Sequence, residues 1–562
     1  MTNLGVFLIG VALLGSSYIS QAQEPSKAGP PNVVLILVDD MGLMDLGAFG
    51  GETHTPNIDR LAERGVKFTN LHASPVCAPS RAMLITGSDS HLTGVPNLPE
   101  MLPEEYQGIP GYEGVLNDQV QTIATRLKER EYNTYVTGKW HLGHDENTLP
   151  HVRGFDRSFV LSGSGSDNYS TEGYLPFKPK TQWYADGEVT ELPEGFYSSE
   201  HYVDELIRYH KEEDRPDRPF FSYLAFQALH APLQAPTEYV EKYLEVYAEG
   251  WDVLREVRFA KAKELGIIPK SATMNPTFEG HRAWKELTED EQRDHATDMA
   301  MLAGMLEAMD YHVGRYIAYL EEAGLAENTV FVVTSDNGPD GGDYSPLYRW
   351  AERTQGYHRD FEEQGGYRYY GSLGPEYASA LAAPFSYYKY YTGEGGLRVP
   401  LIMMGPGLPK QQTDGTFCFL TDIAPTIYEL AGLSPEANPG YSPITGKSIL
   451  PHLQDPSIPI YGPQEGVGLE AAACAAYFLG DYKIVLNNSP LSDDQWKLYN
   501  IAKDPTETKN LAAEEPLQFQ IMLSAYERWA QEVGVVTMPE GYSAQGEVGK
   551  KSVRAIVRPI RK

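Results

Sequence analysis

Residues 33–38 read Val-Val-Leu-Ile-Leu-Val and run directly into Asp39-Asp40. A continuous, β-branched apolar run of this length has no polar face, so it reads as a strand covered on both sides, as in a parallel sheet. The same arrangement recurs along the chain. Residues 134–137 lead into Gly138-Lys139-Trp140-His141, residues 220–226 lead toward His230, and residues 330–334 end in Ser335-Asp336-Asn337-Gly338. Residues 401–404 are a further short strand. Helical patterns lie between them. Thr55-Pro56 opens one, with Thr as N-cap and Pro in the first turn, and Gly65 closes it. Residues 299–320 carry apolar side chains at 299, 302, 306, 309, 313, 317 and 320, a helical stripe. Strands alternating with helices predict an α/β fold with a largely parallel sheet. The polar clusters sit just past the C-terminal ends of strands, where such sheets bind ligands.

The chain has 562 residues, room for one large domain and a smaller one. The pattern changes near residues 451–463 to shorter apolar segments (482–486, 497–501) and a helix at 517–533. This predicts a large domain over 23–455 and a smaller α+β domain over 456–562. The apolar run at 5–15 (GVFLIGVALLG), followed by small polar residues and Ser20-Gln21-Ala22, predicts a signal peptide over 1–22. The expectation is an exported protein, periplasmic or secreted, with no stable membrane insertion. Charge excludes more. With 46 Lys+Arg against 77 Asp+Glu the net charge is −31, which repels a phosphate backbone and argues against nucleic acid. Any anion site must gather its positive charge locally. The 37 tyrosines and 53 glycines suggest aromatic-lined loops. Three cysteines, Cys77, Cys418 and Cys474, are too few for a disulfide scaffold.

Asp39, Asp40, Asp336 and Asn337 form an all-oxygen set, which suits Ca²⁺ or, less well, Mg²⁺ rather than zinc. Either dipeptide alone reads equally as strand-end turn residues. Lys139, His141, His230 and Lys389 are likewise ordinary singly, but four of them at strand ends of an acidic chain are what an anion pocket needs. Cys77-Ala78-Pro79-Ser80-Arg81 places a cysteine at the mouth of a helix, where backbone N–H groups favour an anion and Arg81 adds a donor fork.

The run from Cys77 through Leu84, Thr86 and Gly87 resembles the C-x-P-S-R-x-x-L-x-T-G signature of type I sulfatases of the alkaline phosphatase superfamily. Further elements follow in that family's order. Asp39-Asp40 resembles its first metal pair and residues 138–143 (GKWHLG) match one of its motifs. His230-Ala231-Pro232 resembles its H-x-P, and Asp336-Asn337-Gly338 its DNG. Lys389, five residues before Glu394-Gly395-Gly396, falls where a second lysine is placed. Residues 496–510 resemble its C-terminal signature. The resemblance spans about residues 32–535 and is greatest to bacterial arylsulfatases. It implies a large mixed, mostly parallel sheet between helices, with a short antiparallel sheet in the C-terminal domain.

The resemblance also implies chemistry. Cys77 is converted by a formylglycine-generating maturation enzyme to formylglycine, whose hydrated form also touches the metal. One hydroxyl, deprotonated with help from Asp336 and one Ca²⁺, attacks the sulfur of a small-molecule or glycan sulfate ester. Lys139, Lys389 and Arg81 offset charge on the sulfuryl oxygens, and His230 protonates the departing alcohol. A covalent sulfo-enzyme remains, and His141 starts its breakdown. The expected reaction is aryl sulfate plus water to phenol plus sulfate. Alternatives are a sulfated carbohydrate, a phosphonate or phosphate ester on the same fold, or a non-catalytic sulfoglycan-binding scaffold. Specificity is expected in residues 162–174 and 344–391, which read as Tyr/Gly-rich loops.

Overall fold

The computed structural model describes residues 29–106, 108–539 and 541–557. The expected signal peptide over 1–22 lies outside them. No helix among the described residues is long and apolar enough to cross a membrane.

The apolar run becomes the strand Asn32–Val38 at the heart of an 11-stranded sheet. It pairs in parallel with Thr329–Ser335 on one side and Phe220–Ala225 on the other. Asn133–Lys139 and then Arg157–Leu161 continue the parallel array. Beyond Thr329–Ser335, strand Arg398–Met404 is antiparallel to both its neighbours, the second being Val66–His72. The sheet is therefore mixed and mostly parallel.

Alternation along the central strand builds two cores. Val33, Leu35 and Leu37 face one side with Ala78, Ala82 and Ile85 of the helix Cys77–Thr86. Val34, Ile36 and Val38 face the other with Met299, Leu302, Leu306 and Met309 of the 34-residue helix Glu289–Glu322. Both faces are covered, which is why the strand could be apolar at every position from 33 to 38.

A four-stranded antiparallel sheet follows: Gly466–Ala471, Cys474–Leu479, Tyr482–Leu486 and Lys497–Asn500, paired in chain order. Helix Pro516–Val533 packs Met522 and Ala525 against its Tyr477, Ile484 and Leu498. Two buried charge clusters tie this sheet to the larger one. Lys483 Nζ donates to Glu394 Oε1 and Glu507 Oε1, each at 2.8 Å, and Glu394 also meets His72. In the second, His91 joins Asp89 Oδ1 at 3.0 Å and Glu470 Oε2 at 3.2 Å. Past residue 540 the chain returns over the larger unit as helix Ala544–Val557.

Several local expectations are corrected. Thr55 precedes the helix Pro56–Arg64 but makes no side-chain cap bond. Its hydroxyl instead donates to Asp59 Oδ1 at 3.0 Å and accepts from Gly47 N–H. The segment 344–391 is partly helical, at Tyr348–Gln355 and Gly374–Ala382. The three cysteines, Cys77, Cys418 and Cys474, need no such correction: too few for a disulfide scaffold, they are all free and buried.

Candidate active site

Parallel packing brings the strand ends together. With Val38 opposite Ser335, the residues just after each strand meet across the sheet. The Asp40 backbone N–H donates to Asp336 Oδ1 at 3.1 Å, and Asn337 Nδ2 donates to Asp40 Oδ1 at 2.7 Å. Lys139 is the last residue of its strand and donates to Asp39 Oδ2 at 2.6 Å. Two glycines make this convergence possible. A Cβ at Gly138, whose φ is +108°, would lie 1.8 Å from the Ala225 carbonyl oxygen. One at Gly338 would lie 2.0 Å from that of Gly395, in the short helix Glu394–Leu397 that follows Lys389.

Cys77 is the first residue of its helix and only 1% exposed. Its sulfur lies 3.8 Å from Asp40 Oδ1. Ligand-type atoms of Asp39, Asp40, Cys77 and Asp336 all lie within 4.8 Å of one another. Arg81, one turn along the helix, donates from Nε to Asp336 Oδ2 at 2.9 Å and from NH1 to the Lys139 carbonyl at 2.8 Å, with NH2 3.6 Å from Asp39. Its guanidinium is thus turned toward the carboxylates, hydrogen-bonded through Nε and NH1 and ion-paired through NH2.

Electrostatics set these carboxylates apart. At Asp39 burial alone would favour the neutral acid, but Lys139 and Arg81 outweigh it and hold the pKa well below the usual range. Burial dominates at the other two, reinforced by neighbouring carboxylates. Asp40 is pushed up to about 6 and Asp336 to about 7. Asp39 Oδ1 and Asn337 Oδ1 are buried with no hydrogen-bond partner. Such oxygens, beside carboxylates that resist sharing negative charge, fit a hard divalent cation. The expected set Asp39, Asp40, Asp336, Asn337 and Cys77 is thus gathered in one place.

Lysines and histidines surround that cluster. Lys389 Nζ lies 2.8 Å from Asp40 Oδ1 and 3.2 Å from Asp340 Oδ2. Burial opposes its charge, yet Asp340 and Asp40 hold its pKa well above the usual lysine value. His230 donates Nδ1–H to the Ala231 carbonyl at 2.7 Å, which leaves Nε2 toward Asp40 Oδ2 at 3.8 Å. Burial, then Lys389 and Lys139, push its pKa down to about 3. His141 meets Glu100 Oε2 through Nε2 at 3.2 Å, while its buried Nδ1 has no partner. Burial lowers His141 to about 4 despite Glu100. Asp40 and His141 take left-handed backbone, φ +61° and +56°, a strain of about 1–3 kcal/mol each that clusters at functional sites.

The cavity beside Cys77 is lined by His141, His230 and Lys389 and walled by Leu98, Met101, Tyr174, Tyr344 and Tyr390, with Glu100 and Lys178 as a polar pair. Asp340 and Glu100 were not among the expected residues. Asp340 lies only four positions past Asp336, a signal that could have been used. Glu100 sits in an irregular loop and carries none.

A family model described as Sulfatase matches residues 31–433. An uncharacterized sulfatase of Schizosaccharomyces pombe is 34% identical over 543 residues, covering 93% of this chain and 97% of that protein. An arylsulfatase of Klebsiella aerogenes is 32% identical over 475 residues, covering 84% and 96%. The solved structure of Ps i-CgsB in complex with k-i-k-neocarrahexaose is similar in fold, with TM-score 0.64 and 22% identity, covering 94% of this chain and 98% of that one.

Proposed function

Because this chain belongs to the sulfatase family and is a sulfuric ester hydrolase, we propose that its substrate is an aryl sulfate monoester, cleaved at a formylglycine made from Cys77. One observation carries the reading: Cys77 lies between a carboxylate cluster and Lys389, under a wall of tyrosines and apolar side chains. A phenolic leaving group fits such a wall better than a ring of hydroxyls, which needs many polar partners.

As a thiol, Cys77 is a weak nucleophile here. Burial pushes its pKa well up, and Lys139 and Lys389 do not offset that. Conversion to formylglycine would supply a hydrated aldehyde whose hydroxyl attacks sulfur. Ca²⁺ held by Asp39, Asp40, Asp336 and Asn337 would supply Lewis-acid polarisation of a sulfuryl oxygen. Ca²⁺ is favoured over Mg²⁺ because several protein oxygens converge and Mg²⁺ usually keeps more of its waters.

The remaining work falls to this chain's side chains. Lys139 and Lys389 present positive charge, pre-oriented and dry, to the sulfuryl oxygens. Arg81 fixes Asp336 and Asp39 rather than facing the cavity. His230 presents Nε2 for the leaving oxygen. The lysines that depress its pKa are those an anionic ester would engage, so substrate favours the protonated ring. His141, with Nε2 held by Glu100, presents Nδ1 as a base.

A formylglycine-generating enzyme is then a required partner, and export through the leader over 1–22 is the proposed route. A second reading, a sulfated carbohydrate, draws on the sugar held by Ps i-CgsB and on the polar pair Glu100 and Lys178.

The test is release of sulfate from nitrophenyl, phenyl and sugar sulfates, and of product from phenyl phosphonate, by protein co-produced with the maturation enzyme. Aryl sulfates should give the highest kcat/KM, and the Cys77 peptide should carry the mass of the aldehyde. Cys77→Ala should melt like the wild type with turnover near zero. A Cys77→Ala variant of wild-type rate would sink the mechanism, and a dominant sugar sulfate or phosphonate would replace the substrate.

A further inference from the structure

The segment after helix Pro516–Val533 lies outside the stretch matched by the family model, which ends at residue 433. It does not hang off the C-terminal sheet. It crosses back to residues 97–106 and 108–112 and is bound there by side chains of both partners. Tyr106 hydroxyl donates to the Thr537 carbonyl at 2.5 Å, and Val536 N–H donates to Tyr112 hydroxyl at 2.7 Å. Tyr542 hydroxyl donates to the Met101 carbonyl at 3.1 Å and accepts from Asn97 Nδ2 at 3.0 Å. Lys551 donates to the Glu100 carbonyl. The residues so gripped are neighbours of Leu98, Glu100 and Met101, which line the cavity beside Cys77.

The same segment contributes a wall of its own. Val548, on helix Ala544–Val557, lines that cavity with Cys77 and the two histidines. It is half-buried and packs against two apolar clusters at once. One holds Cys77, Leu98 and Met101, and the other holds Tyr174 and Leu175. Val548 therefore bridges the two sides of the leaving-group wall. The reactive groups behind it are almost sealed, Cys77, Lys139 and Lys389 each being 1% exposed.

We propose that the C-terminal segment is the specificity element of this enzyme, with Val548 setting the size of leaving group that fits and Tyr542 holding the opposite wall at residues 97–101. This rests on the aryl reading of the site for the choice of probes. Val548 is a specificity-determining residue with no part in bond making. An apolar wall discriminates by volume, about tenfold or more for a methylene-sized change.

The experiment compares kcat/KM for phenyl sulfate and for the larger 4-methylumbelliferyl sulfate in full-length, matured Val548→Ala, Val548→Phe and Tyr542→Phe. The bulky-to-small ratio should fall about tenfold in Val548→Phe and rise in Val548→Ala. Tyr542→Phe loses only a hydroxyl and should raise the ratio by loosening the 97–101 wall. A merely structural role for these residues would scale both esters alike. A ratio within twofold of wild type in all three variants overturns the proposal. If the wild type turns over sugar sulfates and no aryl sulfate, the aryl reading fails separately. The same variants are then read on mono- and disaccharide sulfates, where an unchanged ratio again overturns it.

Discussion

At the scale of single residues, the two histidines differ in which nitrogen they leave free. That predicts different kinetic signatures. His230 offers Nε2 to the leaving oxygen, so His230→Ala should lose about 10²–10⁴ in rate on a poor leaving group and far less on a nitrophenyl ester. His141, whose buried Nδ1 has no partner, should show a deficit that depends little on the leaving group, with a burst of phenol before slow turnover. If the graded deficit belongs to His141→Ala instead, the two roles are exchanged. These residues were legible because each follows an apolar strand or sits inside a long motif, and parallel strands deliver their C-terminal ends to one edge. Arg81 was also legible as a site residue, but the direction of its guanidinium was not. Spacing does not reveal that Asp336 and the Lys139 carbonyl take up its Nε and NH1 donors. Glu100 was invisible since no period or motif marks its loop.

At the scale of elements, buried charge fastens the C-terminal sheet to the larger one. Lys483→Met leaves Glu394 and Glu507 buried without their ammonium, which should cost about 3–5 kcal/mol. Urea titration of wild type and variant reads this as a lowered midpoint, and an unchanged midpoint would show the cluster to be neutral in energy. The His91 cluster gives a pH signature. Burial opposes the charged ring, but Asp89 and Glu470 outweigh it and raise its pKa to about 9. A raised pKa contributes stability that is complete below the unfolded value, about 6.5, and lost as pH climbs through 9. Melting temperature should therefore fall more between pH 6.5 and 9 in the wild type than in His91→Gln; parallel curves would refute the assignment. Element type was readable from period, whereas strand direction was not, so nothing in the sequence marked Arg398–Met404 as antiparallel. Helix Ala544–Val557 escaped notice because Gly546 and Gly549 depress helix propensity and its partners lie far back in the sequence, 451 residues for Lys551 and Glu100.

At the scale of the whole molecule, a chain of net charge −31 keeps Arg81, Lys139 and Lys389 buried among carboxylates at one sheet edge. A cation at that edge should bind the folded state selectively. Saturating Ca²⁺ at 100 times its Kd should stabilise by about 2.7 kcal/mol. A calorimetric melt with and without chelator measures this without reference to activity. Asn337→Ala, which removes an otherwise unpartnered oxygen, should shrink the shift. Equal melting temperatures with Ca²⁺ and with chelator would remove the metal assignment. The large-scale sheet and the position of the site were predictable, because strand composition and strand-end charge both report on the parallel array. The return of the C-terminal segment was not, since it depends on surfaces that exist only after both sheets have formed.

Cys77 begins its helix almost wholly shielded from solvent, beneath a wall whose final piece, Val548, comes late in the sequence. If the thiol is converted, the native fold imposes a deadline: conversion must happen while the nascent chain is still open. A molecule that closes around an unaltered thiol is then an inactive by-product for as long as it stays folded. The active fraction of any preparation becomes a record of a race during synthesis between the modifying enzyme and folding. Added to native, thiol-form protein, that enzyme should recover no activity, and it should recover activity when present while the same protein refolds from denaturant.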